Sequence, residues 1–263
     1  MAADPQTPAP TSVATDEEVR RFSNLEYEDF RRLAVDPTLG PNERIGFPDR
    51  YRAGFEDAIF DDVVSKLPPL RERGMRVLEI GPGCGPLPRL LLNLCVKAGH
   101  RLLWVDAPEM LDQLPDAANV TKLPGPYPEA AEPAQLDAAC NVVLAYSVFH
   151  HVFAERGGWS FLDAVLGHLA RGGAALIGDI PNLSKRRRFL AGAAGRAFHA
   201  AVTGDDSPPD VNFNRLEPGA IDDAVLYGLV LHARAAGFDA YVVPQPAGLP
   251  LANRREDLLV LAP

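Results

Sequence analysis

An acid followed by three alternating glycines, Glu79-Ile80-Gly81-Pro82-Gly83-Cys84-Gly85, closes an apolar run that begins at Val77. Glycines at every second position let backbone N–H groups and bare Cα atoms approach a ligand, and they permit backbone angles that other residues avoid. Between a strand and a helix, that is a nucleotide-type loop. The dinucleotide pattern G-x-G-x-x-G fails, because its third glycine, counted from Gly81, falls on Pro86. A carboxylate at the strand tip repels a pyrophosphate and attracts an ammonium or a sulfonium. S-adenosylmethionine carries both cations and no phosphate. A second acid, able to accept two ribose hydroxyl protons, is expected about 20 residues on at the tip of the next strand. Asp106, ending Arg101-Leu102-Leu103-Trp104-Val105-Asp106, lies there.

Further groups follow later strands. In Tyr146-Ser147-Val148-Phe149-His150-His151 either histidine could take a proton from an oxygen nucleophile at neutral pH, or could orient the loop or cap the next helix. Asp179 could orient a substrate hydroxyl, act as the base, or hold its turn. The run Lys185-Arg186-Arg187-Arg188 is a solvated helix face or a clamp for a carboxylate, a phosphate or a sugar-nucleotide diphosphate. Arg196, His199, Asn212-Phe213-Asn214-Arg215 and Asn253-Arg254-Arg255-Glu256-Asp257 are weaker candidates.

Four blocks in order, E-I-G-P-G-C-G, W-V-D-A-P-E-M-L, L-D-A-A-C-N-V-V-L-A-Y-S-V-F-H-H-V and L-A-R-G-G-A-A-L-I-G-D, resemble the class I S-adenosylmethionine-dependent methyltransferase family over roughly residues 75–180. The resemblance implies an α/β, Rossmann-like, seven-stranded and mostly parallel sheet whose last strand is antiparallel. It implies that Glu79, Gly81, Pro82, Gly83 and Gly85 hold the methionine part, that Asp106 holds the ribose, and that the chain near Ala107 and Met110 holds the adenine. Tyr146 and the residues after it would face the methyl group. Many members carry an acid after the third strand for the adenine amino group; here Lys122-Leu123-Pro124-Gly125 stands there, so a backbone carbonyl would replace it. An Asn-Pro-Pro-Tyr motif, associated with amide or nucleobase nitrogen methylation, does not follow strand 4. The phrases G-D-I-P-N-x-S-K-R-R-R-F and A-N-R-R-E-D resemble a bacterial group associated with surface-sugar or secondary-metabolite genes.

These residues need a scaffold, and the chain is long enough for one. Its 263 residues, 47% hydrophobic, suit one domain with an appendage. No apolar run approaches the roughly 18 residues needed to span a bilayer, so no membrane partner is expected. Met1-Ala2-Ala3-Asp4-Pro5 lacks the basic and apolar parts of a secretory signal. Cysteines at 84, 95 and 140 form neither a paired framework nor a metal spacing, and a cytoplasmic protein without a metal is expected. A net charge of −9 disfavours nucleic acid as a partner.

Residues 1–15, rich in Ala, Pro and Thr, read as a disordered tail. Residues 16–70 read as a helical cover. One helix starts after Thr15 and runs through Val19, Phe22 and Leu25 towards Phe30 and Leu33; a second spans Arg50 to about Leu67, with Tyr51, Phe55 and Phe60 facing inward. From 71 to 263 strand and helix alternate, which implies a parallel sheet covered on both faces. Strands are expected at about 75–80, 101–105, 119–123, 138–145, 174–179, 241–243 and 257–261. Helices are expected at about 86–98, from 108, at 160–170 and at 218–236. The segment 181–217 is too long for an ordinary connection and reads as a lid or substrate wall. The function these features imply is methyl transfer from S-adenosylmethionine to a small-molecule hydroxyl, of a sugar or secondary metabolite. The alternatives are a non-catalytic cofactor- or partner-binding protein and a protein methyltransferase.

Overall fold

The computed structural model describes Phe22 and residues 25–131 and 139–263. The expected tail and the start of the first expected helix lie outside the described residues. Seven strands form one sheet: β1 (Arg76–Ile80), β2 (Arg101–Asp106), β3 (Val120–Pro124), β4 (Cys140–Tyr146), β5 (Leu169–Pro181), β6 (Asp239–Pro244) and β7 (Arg255–Leu261). Their order is β3-β2-β1-β4-β5-β7-β6, and only β7 runs against its neighbours. The mostly parallel sheet with an antiparallel last strand is therefore as expected.

Side chains alternate across each strand, so every buried strand feeds two cores. On one face Val77, Leu102, Trp104, Val142 and Leu144 pack against Ile59 and Val63 of α2 (Glu56–Lys66) and against Leu91 and Cys95 of α3 (Leu87–Ala98). On the other, Leu78, Ile80, Leu103, Val105 and Val143 meet Phe161, Leu162 and Val165 of α6 (Gly158–His168) and Leu226 and Leu229 of α9 (Asp223–Ala235). Coverage of both faces explains why these strands read as near-continuous apolar runs. The remaining helices are α1 (Tyr27–Val35), α4 (Pro108–Leu111), α5 (Phe149–Arg156), α7 (Leu183–Ala191) and α8 (Ala193–Thr203).

Three elements depart from the sequence reading. The helix expected from Arg50 is shortened to α2, because a 3-10 turn at Asp49–Tyr51 is followed by Gly54 at φ 86°, outside the helical region. Strand β5 begins at Leu169, well before 174; its register jumps from Cys140↔Leu169 to Val142↔Ala174, so the intervening residues bulge around Gly172, at φ 73°. The last helix starts at Asp223 because the Asp222 side chain accepts a hydrogen bond from Val225 N at 3.0 Å, and Gly219 at φ 77° interrupts the chain before it.

Candidate active site

Strand order reverses between β1 and β4, and in open α/β sheets ligands bind beyond the strand carboxyl ends at such a point. A cleft opens there. Glu79, Gly81, Pro82, Gly83, Gly85, Asp106 and Met110 line one side, Tyr146, Ser147 and His151 the other, and Tyr27, Ile45, Phe47 and Arg52 close over it. The cover is thus the N-terminal segment. None of residues 181–217 lines this cleft.

The glycine loop is shaped by the strand tips. Gly81 N donates to Val105 O at 2.8 Å, and Gly81 and Gly83 take φ 63° and 65°. A Cβ on Gly81 would stand 2.5 Å from Val148 Cγ2, and one on Gly83 2.7 Å from Ile45 Cγ2. Gly83 N donates to Asp106 Oδ2 at 2.8 Å and Ala107 N to Asp106 Oδ1 at 2.7 Å. Burial raises the Asp106 carboxyl to about 6 against the pull of those two N–H groups. Ala107 supports Asp106 in this way without lining the cleft.

Glu79 and Trp104 are register partners on adjacent strands, so their side chains share a face. Trp104 Nε1 donates to Glu79 Oε2 at 2.7 Å. Burial pushes the Glu79 carboxyl up to about 8; the indole bond opposes this and Asp106 adds to it. A cation at Glu79 would reverse the shift. Tyr27 meets the same end of the cleft. Its hydroxyl is buried without a hydrogen-bond partner among the described residues, and burial, then the charge of Asp106, raise it to about 12. An orphaned hydroxyl close enough to feel the charge of Asp106, in the cleft that Glu79 also lines, fits a polar, cationic ligand with hydroxyls. After β3, Gly125, Pro126 and Tyr127 line the cleft where a side-chain acid is missing.

At the far end, Ser147, directly after β4, and Asp179, at the register shift near the end of β5, take φ 63° and 58°, the left-handed region in which non-glycine residues are strained. Ser147 Oγ donates to Asp179 Oδ2 at 2.6 Å, and Arg52 Nη2 reaches the same oxygen at 2.8 Å while also bonding Ser147 Oγ. Arg255 donates to Asp179 O at 2.9 Å, and Asp179 N donates to Asp257 Oδ1 at 2.8 Å. Asp257 is itself held by Lys66 at 2.7 Å and Gln245 at 3.0 Å. Burial alone would raise the Asp179 carboxyl; Arg255, Arg52 and the Ser147 hydroxyl outweigh it and hold it below its ordinary range.

The structure separates the two histidines. His151 lines the cleft, with Phe30 edge-on at 4.7 Å between centroids. His150 lies behind it, and its Nδ1 is buried without a partner among the described residues. Burial, then Arg255, lowers His151 to about 4, with the Leu25 carbonyl opposing; burial, then His151, Arg255 and Arg52, hold His150 well below its ordinary value. Asp179 does not line the cleft and is committed to its partners. Nor does the structure bring the basic run there. Lys185 bonds Arg255 O at 2.9 Å, Arg187 pairs with Glu217 at 2.7 Å and Arg188 with Asp223, while Arg186 is exposed on α7.

Arg52, Tyr27 and Ile45 are the site residues that motif reading misses. For Arg52 a signal existed: it is a charge among Phe47, Tyr51 and Phe55 in a segment that must cover the cleft.

Neither a family model nor a curated protein matches the sequence. Solved structures do. The plantazolicin methyltransferase BpumL in complex with SAH is 11% identical, with TM-score 0.55 over 94% of this chain and 100% of its own. The N-methyltransferase NodS from Bradyrhizobium japonicum, also with S-adenosyl-L-homocysteine, is 13% identical, with TM-score 0.52 over 90% and 98%. The fold is the methyltransferase fold. A putative O-methyltransferase from Nostoc punctiforme shares it at 14% identity and TM-score 0.51, over 94% of this chain and 70% of its own. Oxygen and nitrogen methyltransferases are both named among these structures, so the shared fold is common to both chemistries.

Proposed function

We propose that the protein binds S-adenosylmethionine in this cleft and transfers its methyl group to a small-molecule acceptor, most simply a hydroxyl oxygen of a sugar or secondary metabolite. One observation carries the reading: the buried Glu79 and the half-buried Asp106 stand at adjacent strand tips, with the glycine loop tied to the second by the Gly83–Asp106 bond. Glu79 with the loop from Gly81 to Gly85 suits the amino-acid part, and Asp106 with the Tyr27 hydroxyl suits the ribose. Met110 and the backbone at Gly125 suit the adenine, and Tyr146 walls the methyl side.

Bound S-adenosylmethionine supplies a methyl group on a sulfonium, already a good leaving group. The chain's task is then to align the acceptor, exclude water and take up one proton. The cover of Tyr27, Ile45, Phe47 and Arg52 excludes water. His151, neutral because its basicity is depressed, keeps a lone pair with which to accept the acceptor's proton. Three free cysteines fit action in a reducing cytoplasm, and no helix among the described residues is long and apolar enough to cross a membrane.

Calorimetry with S-adenosylmethionine and S-adenosylhomocysteine tests the reading, and binding of both is expected. Failure of both to bind would sink it. Binding without transfer to any acceptor would favour a binding protein that keeps the cleft.

A further inference from the structure

A buried amide in the cover has no structural partner. Asn42 is 3% exposed and lines the cleft. It directly precedes the 3-10 turn Glu43–Ile45, where an asparagine side chain ordinarily caps the turn. Here the side chain makes no capping bond, and no other hydrogen bond among the described residues. The backbone holds the residue instead: Asn42 O accepts from Ile45 N at 3.1 Å and from Phe47 N at 2.9 Å, and Asn42 N donates to Asp49 Oδ1 at 3.1 Å. A polar group buried to this extent costs free energy unless something bonds it. Fixed by its backbone and lining the cleft, the amide is preorganised for a ligand.

The loop opposite decides which part of a ligand the amide meets. Ile45, in the same turn, lies on the glycine loop: a Cβ on Gly83 would stand 2.7 Å from its Cγ2, and one on Gly85 3.1 Å from its Cδ1. Asn42 thus belongs to the turn that covers Gly81–Gly85. That loop has little left to offer a carboxylate, because Gly81 N donates to Val105 O and Gly83 N to Asp106 Oδ2, each at 2.8 Å. At the strand tips, Glu79 and Asp106 attract an ammonium and repel a carboxylate. A bound amino acid therefore turns its ammonium to the sheet and its carboxylate to the cover. Of the other cover donors that line the cleft, the Tyr27 hydroxyl feels the charge of Asp106, and Arg52 is tied to Ser147 and Asp179.

We infer that Asn42 is a cofactor-recognition residue, whose amide Nδ2 donates to the carboxylate in the amino-acid part of S-adenosylmethionine. This rests on the methyl-transfer reading of the cleft. A neutral amide satisfies that carboxylate without setting another positive charge beside the sulfonium. Because the amide sits in the cover, the intact amino acid also joins the cover to the loop beneath it.

The test crosses two ligands with changes at Asn42. S-adenosylhomocysteine and S-adenosyl-3-thiopropylamine, which lacks only the carboxylate, are titrated calorimetrically into the full chain, into Asn42→Ala and into Asn42→Asp. The unaltered chain should prefer S-adenosylhomocysteine by roughly ten-fold or more, on the scale of a hydrogen bond to a charged group. Asn42→Ala should reduce that preference by about ten-fold, with the affinity for the amine kept within about three-fold. Asn42→Asp has the shape of the original residue and should reduce the preference at least as far, because its carboxylate repels the ligand's. A merely structural role would weaken both ligands alike, so an unchanged preference in either variant overturns the inference. Failure of S-adenosylhomocysteine to bind the unaltered chain would instead overturn the methyl-transfer reading, and the inference with it.

Discussion

Arg52 donates to Asp179 Oδ2 at 2.8 Å across 127 residues of chain, joining the N-terminal cover to the tip of β5. Both groups are buried, so neither can be removed without leaving the other's charge desolvated. Asp179→Ala should cost about 3–5 kcal/mol, read from urea midpoints. Asp179→Asn should cost less, since asparagine tolerates the left-handed backbone and still accepts from Ser147 and Arg52. The Asp179 carboxyl is held below its ordinary 3.8. Its stabilisation is therefore present above pH 3.8 and lost as pH falls through the folded value. Asp179→Asn should not show that acid loss.

Glu79 behaves in the opposite sense. Its carboxyl is raised from 4.5 to about 8 in the ligand-free fold, so its contribution to stability is full below pH 4.5 and lost as pH rises through about 8. A bound ammonium or sulfonium stabilises the carboxylate, and binding at pH 7 should release close to one proton from this group. Calorimetry in two buffers of different ionisation enthalpy measures that release. Glu79→Gln should abolish it and weaken S-adenosylmethionine binding by roughly ten-fold or more, on the scale of a hydrogen bond to a charged group.

Two glycines with similar backbone angles separate strain from function. Gly74, at φ 71°, has nothing within 4 Å of an added Cβ, whereas Gly83, at φ 65°, has Ile45 Cγ2 at 2.7 Å and bonds Asp106. Alanine at either should cost about 1–2 kcal/mol in folding. Only Gly83→Ala should also weaken S-adenosylmethionine. Equal cofactor affinity in the two variants would contradict the assignment of the loop.

His151 should set the acid limb of the pH–rate profile near pH 4, well below the 6.5 of an ordinary histidine. The group must be neutral to accept a proton, so turnover should rise through that value and stay level above it. His151→Ala should lower turnover by about 10²–10⁴-fold without changing cofactor affinity. His150→Ala should leave the limb in place, since His150 does not line the cleft.

The glycine-loop half of the cleft, where we propose the cofactor binds, was legible because its signals are local. Glu79, the glycines and Asp106 sit at strand ends whose apolar runs announce them, and a glycine at positive φ has few other reasons to recur at every second residue. The sheet was legible for the same reason: each strand is a short buried run between turn residues. The opposite half, where we propose the acceptor sits, was not. Arg52, Ser147 and Asp179 come from three distant segments, and only the folded sheet brings them to one oxygen atom. The basic run from Lys185 stood out by charge, but charge in sequence does not reveal that Lys185, Arg187 and Arg188 are answered by Glu256, Glu217 and Asp223.

The two halves also differ in when they can come into being. Gly83, in the loop after β1, and Asp106, at the end of the neighbouring β2, are 23 positions apart, so the proposed cofactor cradle can assemble from an early βαβ unit. The proposed acceptor wall needs Arg52 to find Asp179 and Lys66 to find Asp257, the latter across 191 positions. Contacts of such long loop closure form late. A chain still emerging from the ribosome, or one cut before β7, would own a nucleoside cradle with no wall opposite it, and the protein's selectivity would be the last of its properties to arrive.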